Sequence, residues 1–237
     1  TPILDGKFTS YSDARLDLYR KTQQKVPAIT GQVIPERVFS PWEYQAFILD
    51  PMYEAMEEYD PDRLLCYEWL NSRGAIARFD RSSIEIRLMD NQECVLADIA
   101  ILSFFVELLT ALVSQKWCTL EQQMAFSEER LAVLLDQTIL QGELALFQDK
   151  EYLALFGLEA ETAITAQNFC QYLSKATQSP FMPEEIYLAL QNILKYGSLS
   201  TRIMKSLASQ PSREDIQKVY RKLAECLATN TLFIPSL

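Results

Sequence analysis

The chain has 237 residues, a net charge of −10 and no histidine. The acidic balance argues against a nucleic-acid role, which needs a basic patch. The missing imidazole removes Ser-His-Asp and Cys-His catalysis, the H-E-x-x-H metalloprotease motif and every His-ligated metal site within these residues. Apolar content of 49% and charged content of 23% are ordinary for a globular protein. A chain of this length buries roughly 70–75% of its unfolded surface if it forms one complete domain. The five cysteines include no C-x-x-C pair, so neither a zinc knuckle nor a thioredoxin-type motif is supported. Reduced thiols in a cytosolic protein, several of them small apolar core residues, are the expectation. Neither G-x-x-x-x-G-K-[ST] nor G-x-G-x-x-G occurs, which removes the phosphate-loop and dinucleotide readings.

The opening has no initiator Met, charged n-region or apolar h-region. Asp5-Gly6 is a turn dipeptide, and Ser12 is placed to N-cap a helix with Leu16, Tyr19 and Gln23 on one face. Beyond Pro27 the chain reads as an extended linker with a turn at Gly31. Ser40-Pro41-Trp42-Glu43 combines a cap, proline at the first helical position and a glutamate that closes a capping box. Breaks are expected at Asp50-Pro51 and Asp60-Pro61.

Ala75–Phe79 and Ile84–Asp90 alternate apolar and polar residues around Asp80-Arg81-Ser82-Ser83. This pattern predicts a β-hairpin. A four-residue loop at 80–83 places Arg78 opposite Glu85 and Ile76 opposite Arg87, with Glu85, Arg87 and Arg78 on one face. Ile84, Ile86 and Leu88 against Ala77 and Phe79 form the other face, which is expected to pack on a core. Two readings of the polar face stand side by side. One is a solvated surface with a cross-strand Arg78–Glu85 ion pair, contributing roughly 0.2–1 kcal/mol. The other is a phosphate-and-metal platform, a carboxylate for a hard cation beside guanidinium forks that match phosphate oxygens.

After Cys94, VLADIAILSFFVELLTALVSQ is apolar almost all round and reads as a buried core helix. Asp98 and Glu107 within it, and the lack of basic flanks, argue against a membrane span. From Thr119 onward the chain reads as helical throughout. A capping box stands at Thr119–Gln122 and an interruption is expected at Gly142. A helix opens at Pro183 and ends at Gly197, and a last one is capped by Ser212 with Asp215.

The run from Arg78 or Arg81 through Ile84, Glu85, Ile86, Arg87 and Asp90 to Gln92-Glu93-Cys94 resembles the R…[TIV]-x-E-[VI]-R-x-x-D signature of the glutamate–cysteine ligase type 2 family. The opening, with Pro2, Gly6, Asp13, Arg15 and Tyr19, is similar to that family's S-P-x-x-x-G…G-x-x-x-x-R segment, with Ser10 where many members carry Gly. Gly197 and Arg202 match its C-terminal tail. The resemblance implies an α+β, mostly helical fold. Its central hairpin, 75–90, belongs to a glutamine-synthetase-like antiparallel sheet, and residues 1–94 form a sheet-forming catalytic portion with a helical region, 95–237, packed on it. It also implies that the chain begins inside a family segment, so that the half carrying histidine and metal-binding glutamates lies upstream or on a companion chain.

The chemistry implied is ATP-dependent: a carboxylate, that of glutamate, is phosphorylated and the acyl phosphate is attacked by an amine, that of cysteine or another. ATP and Mg2+ are the implied cofactors. Glu85 is the candidate metal ligand and Arg87 and Arg78 are the candidate catalytic phosphate holders. Arg15, Asp5 and Gly6 are candidates for substrate binding. The location expected is cytoplasmic, with no nucleic-acid or membrane partner. The alternative is a non-catalytic helical interaction module or an inactive ligase remnant.

Overall fold

Asp5 and Gly6 both have positive φ, 50° and 75°, the geometry of a type I′ turn. This two-residue turn pairs strand β1 (Ile3–Leu4) with β2 (Lys7–Phe8). Asp-Gly adopts it at little cost, because Gly lacks a Cβ and Asp tolerates the left-handed region. The computed structural model describes residues 2–22, 26–62, 64–65 and 67–235. Thr1, Gln23 and Cys66, which figure in the sequence reading, lie outside them.

Helix α1 (Ala14–Thr22) starts just beyond the expected Ser12 cap. The Ser12 and Asp13 amides are taken instead by the Leu140 and Ile139 carbonyls, at 3.1 and 2.9 Å. At Ser40 the cap forms, with Ser40 Oγ accepting from the Glu43 amide at 3.1 Å, but the expected box does not close: Glu43 accepts from the Phe39 amide at 2.7 Å, one residue before the cap. Helix α2 (Pro41–Tyr44) then runs through a π-helical turn, Gln45–Leu49, into α3 (Asp50–Met56). The break expected at Pro51 does not occur. The Asp50 amide reaches back to the Gln45 carbonyl, and this widened turn falls immediately before the residue that lacks an N–H.

Helix α4 (Tyr67–Leu70) leads into β3 (Ala75–Arg78) and β4 (Ser83–Ile86). Helix α5 (Val95–Val113) is followed by α6 (Leu120–Ala125), which carries the Thr119–Gln122 capping box, and by α7 (Glu128–Gln141). The remainder is not helical throughout. Strand β5 (Leu146–Phe147), helix α8 (Lys150–Ala154) and strand β6 (Ile164–Thr165) intervene, with β5 and β6 paired antiparallel. Two-residue strands show no period-two alternation, so the sequence pattern could not reveal them. Helices α9 (Ala166–Thr177), α10 (Glu184–Tyr196), α11 (Leu199–Lys205) and α12 (Arg213–Thr229) complete the chain. The Ser212–Asp215 box opens α12, and Gly197, at φ 96°, closes α10. With short antiparallel strand pairs and 57% helix, the fold is α+β and mostly helical.

Two compact units divide the chain: Thr1–Ala14, Asn91–Phe126 and Asp136–Leu237 form the first, Arg15–Asp90 with Ser127–Leu135 the second. In the first, Ile3, Ile203, Val219 and Phe233 form a core between the β1–β2 hairpin, α11 and α12. Rings of Phe147, Tyr152, Phe156 and Phe169 stack edge-on around α8 and α9, the closest pair at 5.0 Å. In the second unit Ile29, Tyr44, Ile48, Met52, Met56 and Leu70 form the core beneath α2 and α3.

Helix α5 forms where the apolar run predicts it, but it is buried on one side only. Ala97, Ala100 and Ala111 are its buried residues, and 17% of its most apolar window is buried. Among the described residues it is long and apolar enough to cross a membrane by length and composition. Its two carboxylates are engaged within the chain: Asp98 accepts from the Gln92 amide at 3.0 Å and Glu107 from the Ser179 amide at 3.1 Å.

Candidate functional site

The hairpin that carries the candidate residues lies in the second unit. Its loop is a 3-10 turn, Phe79–Arg81, closed by Ser82 in the left-handed conformation at φ 49°. The four loop residues are therefore 79–82, one position earlier than the polar cluster suggests. The pairing is Ala75↔Ile86, Ile76↔Glu85, Ala77↔Ile84 and Arg78↔Ser83. Moving the loop by one residue moves the register by two, so every side chain keeps the face that alternation assigned to it.

Arg78, Glu85 and Arg87 consequently share a face and touch. Arg78 Nη1 donates to Glu85 Oε2 at 2.8 Å, and Arg87 Nε donates to Glu85 Oε1 at 2.9 Å. The Arg78 bond holds the Glu85 carboxyl below its usual range, outweighing desolvation, with the charge and bond of Arg87 acting in the same direction. Glu85 is 40% exposed and the two guanidiniums are more buried, at 11% and 22%. The site is thus an accessible carboxylate gripped by two arginines, with Asp80 also 3.5 Å from Arg78 Nε.

A second layer fixes Arg87. Its Nη1 donates to the Asn71 carbonyl at 2.7 Å, and its own amide donates to the Gly74 carbonyl at 2.8 Å. The buried Asn71 side chain donates to the Tyr44 hydroxyl at 2.7 Å, and that hydroxyl accepts from the Ala77 amide at 3.1 Å. Asn71 Oδ1 accepts from the Arg73 amide at 3.3 Å, while the buried Arg73 guanidinium pairs with Glu36 and reaches the Ala28 carbonyl at 3.1 Å. Gly74 is required by close approach, since a Cβ there would lie 2.7 Å from Leu88 Cδ1 and 3.1 Å from the Val33 carbonyl oxygen. Val33 itself is buried at φ 72°, a strained conformation for a β-branched residue.

Arg15 reaches the end of the same segment. Its Nη2 donates to the Leu88 carbonyl at 2.5 Å and its Nε lies 3.0 Å from Asp90, while Tyr19 Oη donates to the Ser72 carbonyl at 2.8 Å. Arg15 and Asp90 come from the two stretches that carry the family resemblance, and the ion pair joins them. Asp5 and Gly6 belong to the first unit, where they form the exposed β1–β2 turn. Arg81 is exposed beside Asp80, at 3.4 Å.

The apolar face of the hairpin departs from expectation. Ala77 packs on the core cluster and Phe79 meets the Tyr44 ring edge-on at 5.4 Å, but Phe79 and Ile84 remain 51% and 73% exposed. The strand residue that is buried is Ile76, on the polar face. No third strand joins β3 or β4 among the described residues, so the tip of the apolar face has nothing to pack on.

Sequence reasoning gave no role to Asn71, Tyr44, Glu36 or Glu93. Glu93 lies within the signature stretch, and the structure buries it completely against Arg202, with Phe233 bonded to both. The match of Arg202 to the family tail was the one available signal.

The sequence pattern of glutamate–cysteine ligase family 2 matches residues 1–222. The chain belongs to that family. An uncharacterized protein of Archaeoglobus fulgidus is 31% identical over 235 residues, which cover 99% of this chain and 55% of the relative. The chain therefore spans about half the length of the curated relative it matches. No solved structure matches it.

Carboxylate–amine ligases of this family generally use ATP and Mg2+. The residues brought together at the hairpin fit the phosphate better than the cation. Two guanidinium forks suit phosphate oxygens, whereas Mg2+ asks for an octahedral oxygen shell. Among the described residues no three His, Cys, Asp or Glu side chains cluster closely enough to hold a metal ion. Glu85 supplies one carboxylate toward such a shell, with both of its oxygens also accepting from arginine.

Proposed function

We propose that this chain is the C-terminal portion of an ATP-dependent carboxylate–amine ligase that joins glutamate to cysteine or a related amine through an acyl phosphate, in the cytoplasm. The observation that carries the reading is the Arg78–Glu85–Arg87 triad on one hairpin face, within a chain whose family membership extends over residues 1–222. Arg78 and Arg87 would hold phosphate oxygens, and Arg15, paired with Asp90 on the same unit, would help to hold the amino acid or phosphate. Glu85 is the carboxylate on hand for a bridging cation. Such a cation would draw the rest of its shell from phosphate, water and carboxylates outside this set.

A second reading, an inactive ligase remnant or a non-catalytic helical module, is favoured by one observation. Both Glu85 oxygens already accept from arginine, as in a purely structural strut.

Glu85→Gln separates the two, measured with the remaining family segment restored. The amide keeps the shape and loses the charge. On the ligase reading, ADP release dependent on glutamate, amine and Mg2+ falls at least about 100-fold, the scale of losing a charge that stabilises the transition state, while the melting temperature is nearly unchanged. Turnover that survives the substitution returns Glu85 to the role of a strut. The isolated chain is expected to show no turnover.

A further inference from the structure

One buried hydroxyl lies behind both arginines of the hairpin. Tyr44 Oη accepts from the Ala77 amide at 3.1 Å and from the Asn71 side chain at 2.7 Å. Ala77 is the strand neighbour of Arg78. The buried Asn71 offers its own carbonyl to Arg87 Nη1 at 2.7 Å. The hydroxyl therefore ties the backbone beside one guanidinium to the acceptor that holds the other. Glu85 joins the same two guanidiniums from the exposed side, with Arg78 Nη1 and Arg87 Nε on its two oxygens at 2.8 and 2.9 Å. All of these residues belong to the second unit.

The strands have supports of their own. The Arg87 amide donates to the Gly74 carbonyl at 2.8 Å, and the Gly74 amide donates to the Val33 carbonyl at 2.7 Å. The Tyr44 ring sits in the core of the unit and meets Phe79 edge-on, contacts that a phenylalanine keeps. What the hydroxyl adds is orientation. A guanidinium offers its fork of parallel N–H donors in one direction only, so its plane has to be set before the phosphate arrives. The Arg87 plane is set at Nε by Glu85 and at Nη1 by Asn71. Asn71 is steadied in turn from both ends of its amide: Nδ2 on Tyr44, and Oδ1 under the Arg73 amide and Arg73 Nη1, each at 3.3 Å.

We propose that Tyr44 and Asn71 are positioning residues that set the spacing and tilt of the Arg78 and Arg87 guanidiniums, so that both close on one phosphoryl group. That group is the γ-phosphoryl of ATP: its bond to the ADP oxygen breaks, a bond to the substrate carboxylate oxygen forms, and ADP and an acyl phosphate result. The proposal rests on the reading of Arg78 and Arg87 as phosphate holders. Tyr44 and Asn71 touch no substrate in this scheme and act only through the arginines.

The test uses the protein with the remaining family segment in place. It measures kcat and KM for ATP with glutamate, cysteine and Mg2+, ATP affinity by calorimetry without glutamate, and the melting temperature. Tyr44→Phe is expected to lower kcat about tenfold while ATP affinity changes less than about threefold, the pattern of a misaligned group that matters in the transition state. Arg87→Lys keeps the charge, loses the fork and lowers kcat by itself. Adding Tyr44→Phe to Arg87→Lys is expected to lower kcat no further, because the group through which the hydroxyl acts is already gone. A merely structural hydroxyl would lower the melting temperature equally in both backgrounds and leave kcat alone. Asn71→Asp loses the donor to Tyr44, keeps the oxygen that faces Arg73, and is expected to show the same loss of kcat; it serves if Tyr44→Phe misfolds. A wild-type kcat in either folded variant overturns the proposal alone, as does a Tyr44→Phe loss undiminished beside Arg87→Lys. If Arg87→Lys equals wild type, or if the protein neither binds nor turns over ATP, the phosphate reading fails and the proposal fails with it.

Discussion

Glu93 and Arg202 are 109 positions apart in sequence and meet with both side chains fully buried. Arg202 also donates to the Gly197 carbonyl at 3.1 Å and the Phe233 carbonyl at 2.9 Å, and the Phe233 amide donates to Glu93 at 3.0 Å. Each guanidinium nitrogen and each carboxylate oxygen in this knot has a partner, which is the condition under which a buried ion pair is tolerated. Arg202→Met removes one partner and leaves a buried carboxylate uncompensated, so it is expected to cost about 3–5 kcal/mol in urea unfolding. Adding Glu93→Leu should recover part of the loss and not all, because the Phe233 amide would then be buried without an acceptor. Full recovery in the double variant would show that the Phe233 bond contributes nothing. Glu85 presents the contrasting case: its arginines are similar in kind, but at 40% exposure water screens them and leaves the pair little role in stability. That difference in burial is why Glu85 is a candidate for chemistry and Glu93 for architecture.

At the scale of the element, the hairpin shows how little of burial follows from alternation. Period-two patterning identified the strands and the shared face of Arg78, Glu85 and Arg87. It put the core on the wrong side for the tip, since Ile84 is 73% exposed and Ile76 is 1% exposed. Tyr44 decides this: its hydroxyl accepts from the Ala77 amide and its ring meets Phe79 edge-on, while among the described residues no third strand joins the hairpin to cover Ile84. Ile76→Asp buries an unpaired carboxylate and is expected to destabilise by more than about 4 kcal/mol, while Ile84→Asp should stay within about 0.5 kcal/mol. Equal losses from the two would refute this assignment of faces. Pro51 teaches the same lesson in a helix. A residue that ends most helices is carried through because the turn before it has widened to the π form.

Across the whole molecule, acidity and carboxylate pairing set the response to pH. The chain carries ten net negative charges. Several carboxyls are held below their usual range, Asp17 chiefly by its hydrogen bond from Lys21 and Asp215 chiefly by that from Ser212, while the screened Glu85 adds little to stability. A carboxyl depressed by folding stabilises the native state above its unfolded pKa, and this contribution is lost as the pH falls through the folded value. The unfolded state therefore takes up protons below about pH 4. The urea midpoint is expected to fall between pH 6 and pH 3, with net proton uptake on unfolding. A midpoint that is flat over that interval would show that these pairs contribute nothing in solution.

Local interactions made part of this protein legible from its residues. The Asp5-Gly6 turn, the cap at Ser40, the boxes at Thr119 and Ser212, the hairpin strands and the family itself are all written in residues three or four positions apart, or in a short contiguous signature. Such features depend on backbone geometry and nearest neighbours, which a sequence displays directly. The candidate triad was legible for the same reason, since alternation alone puts Arg78, Glu85 and Arg87 on one face. Tertiary structure alone decided the rest. The two-residue shift of register came from where the loop closes, and the second layer of Asn71 and Tyr44 from the packing of distant segments. The Glu93–Arg202 knot and the one-sided burial of α5 have the same origin. Each depends on which surfaces meet across long separations in the chain, and no local pattern of residues encodes that choice.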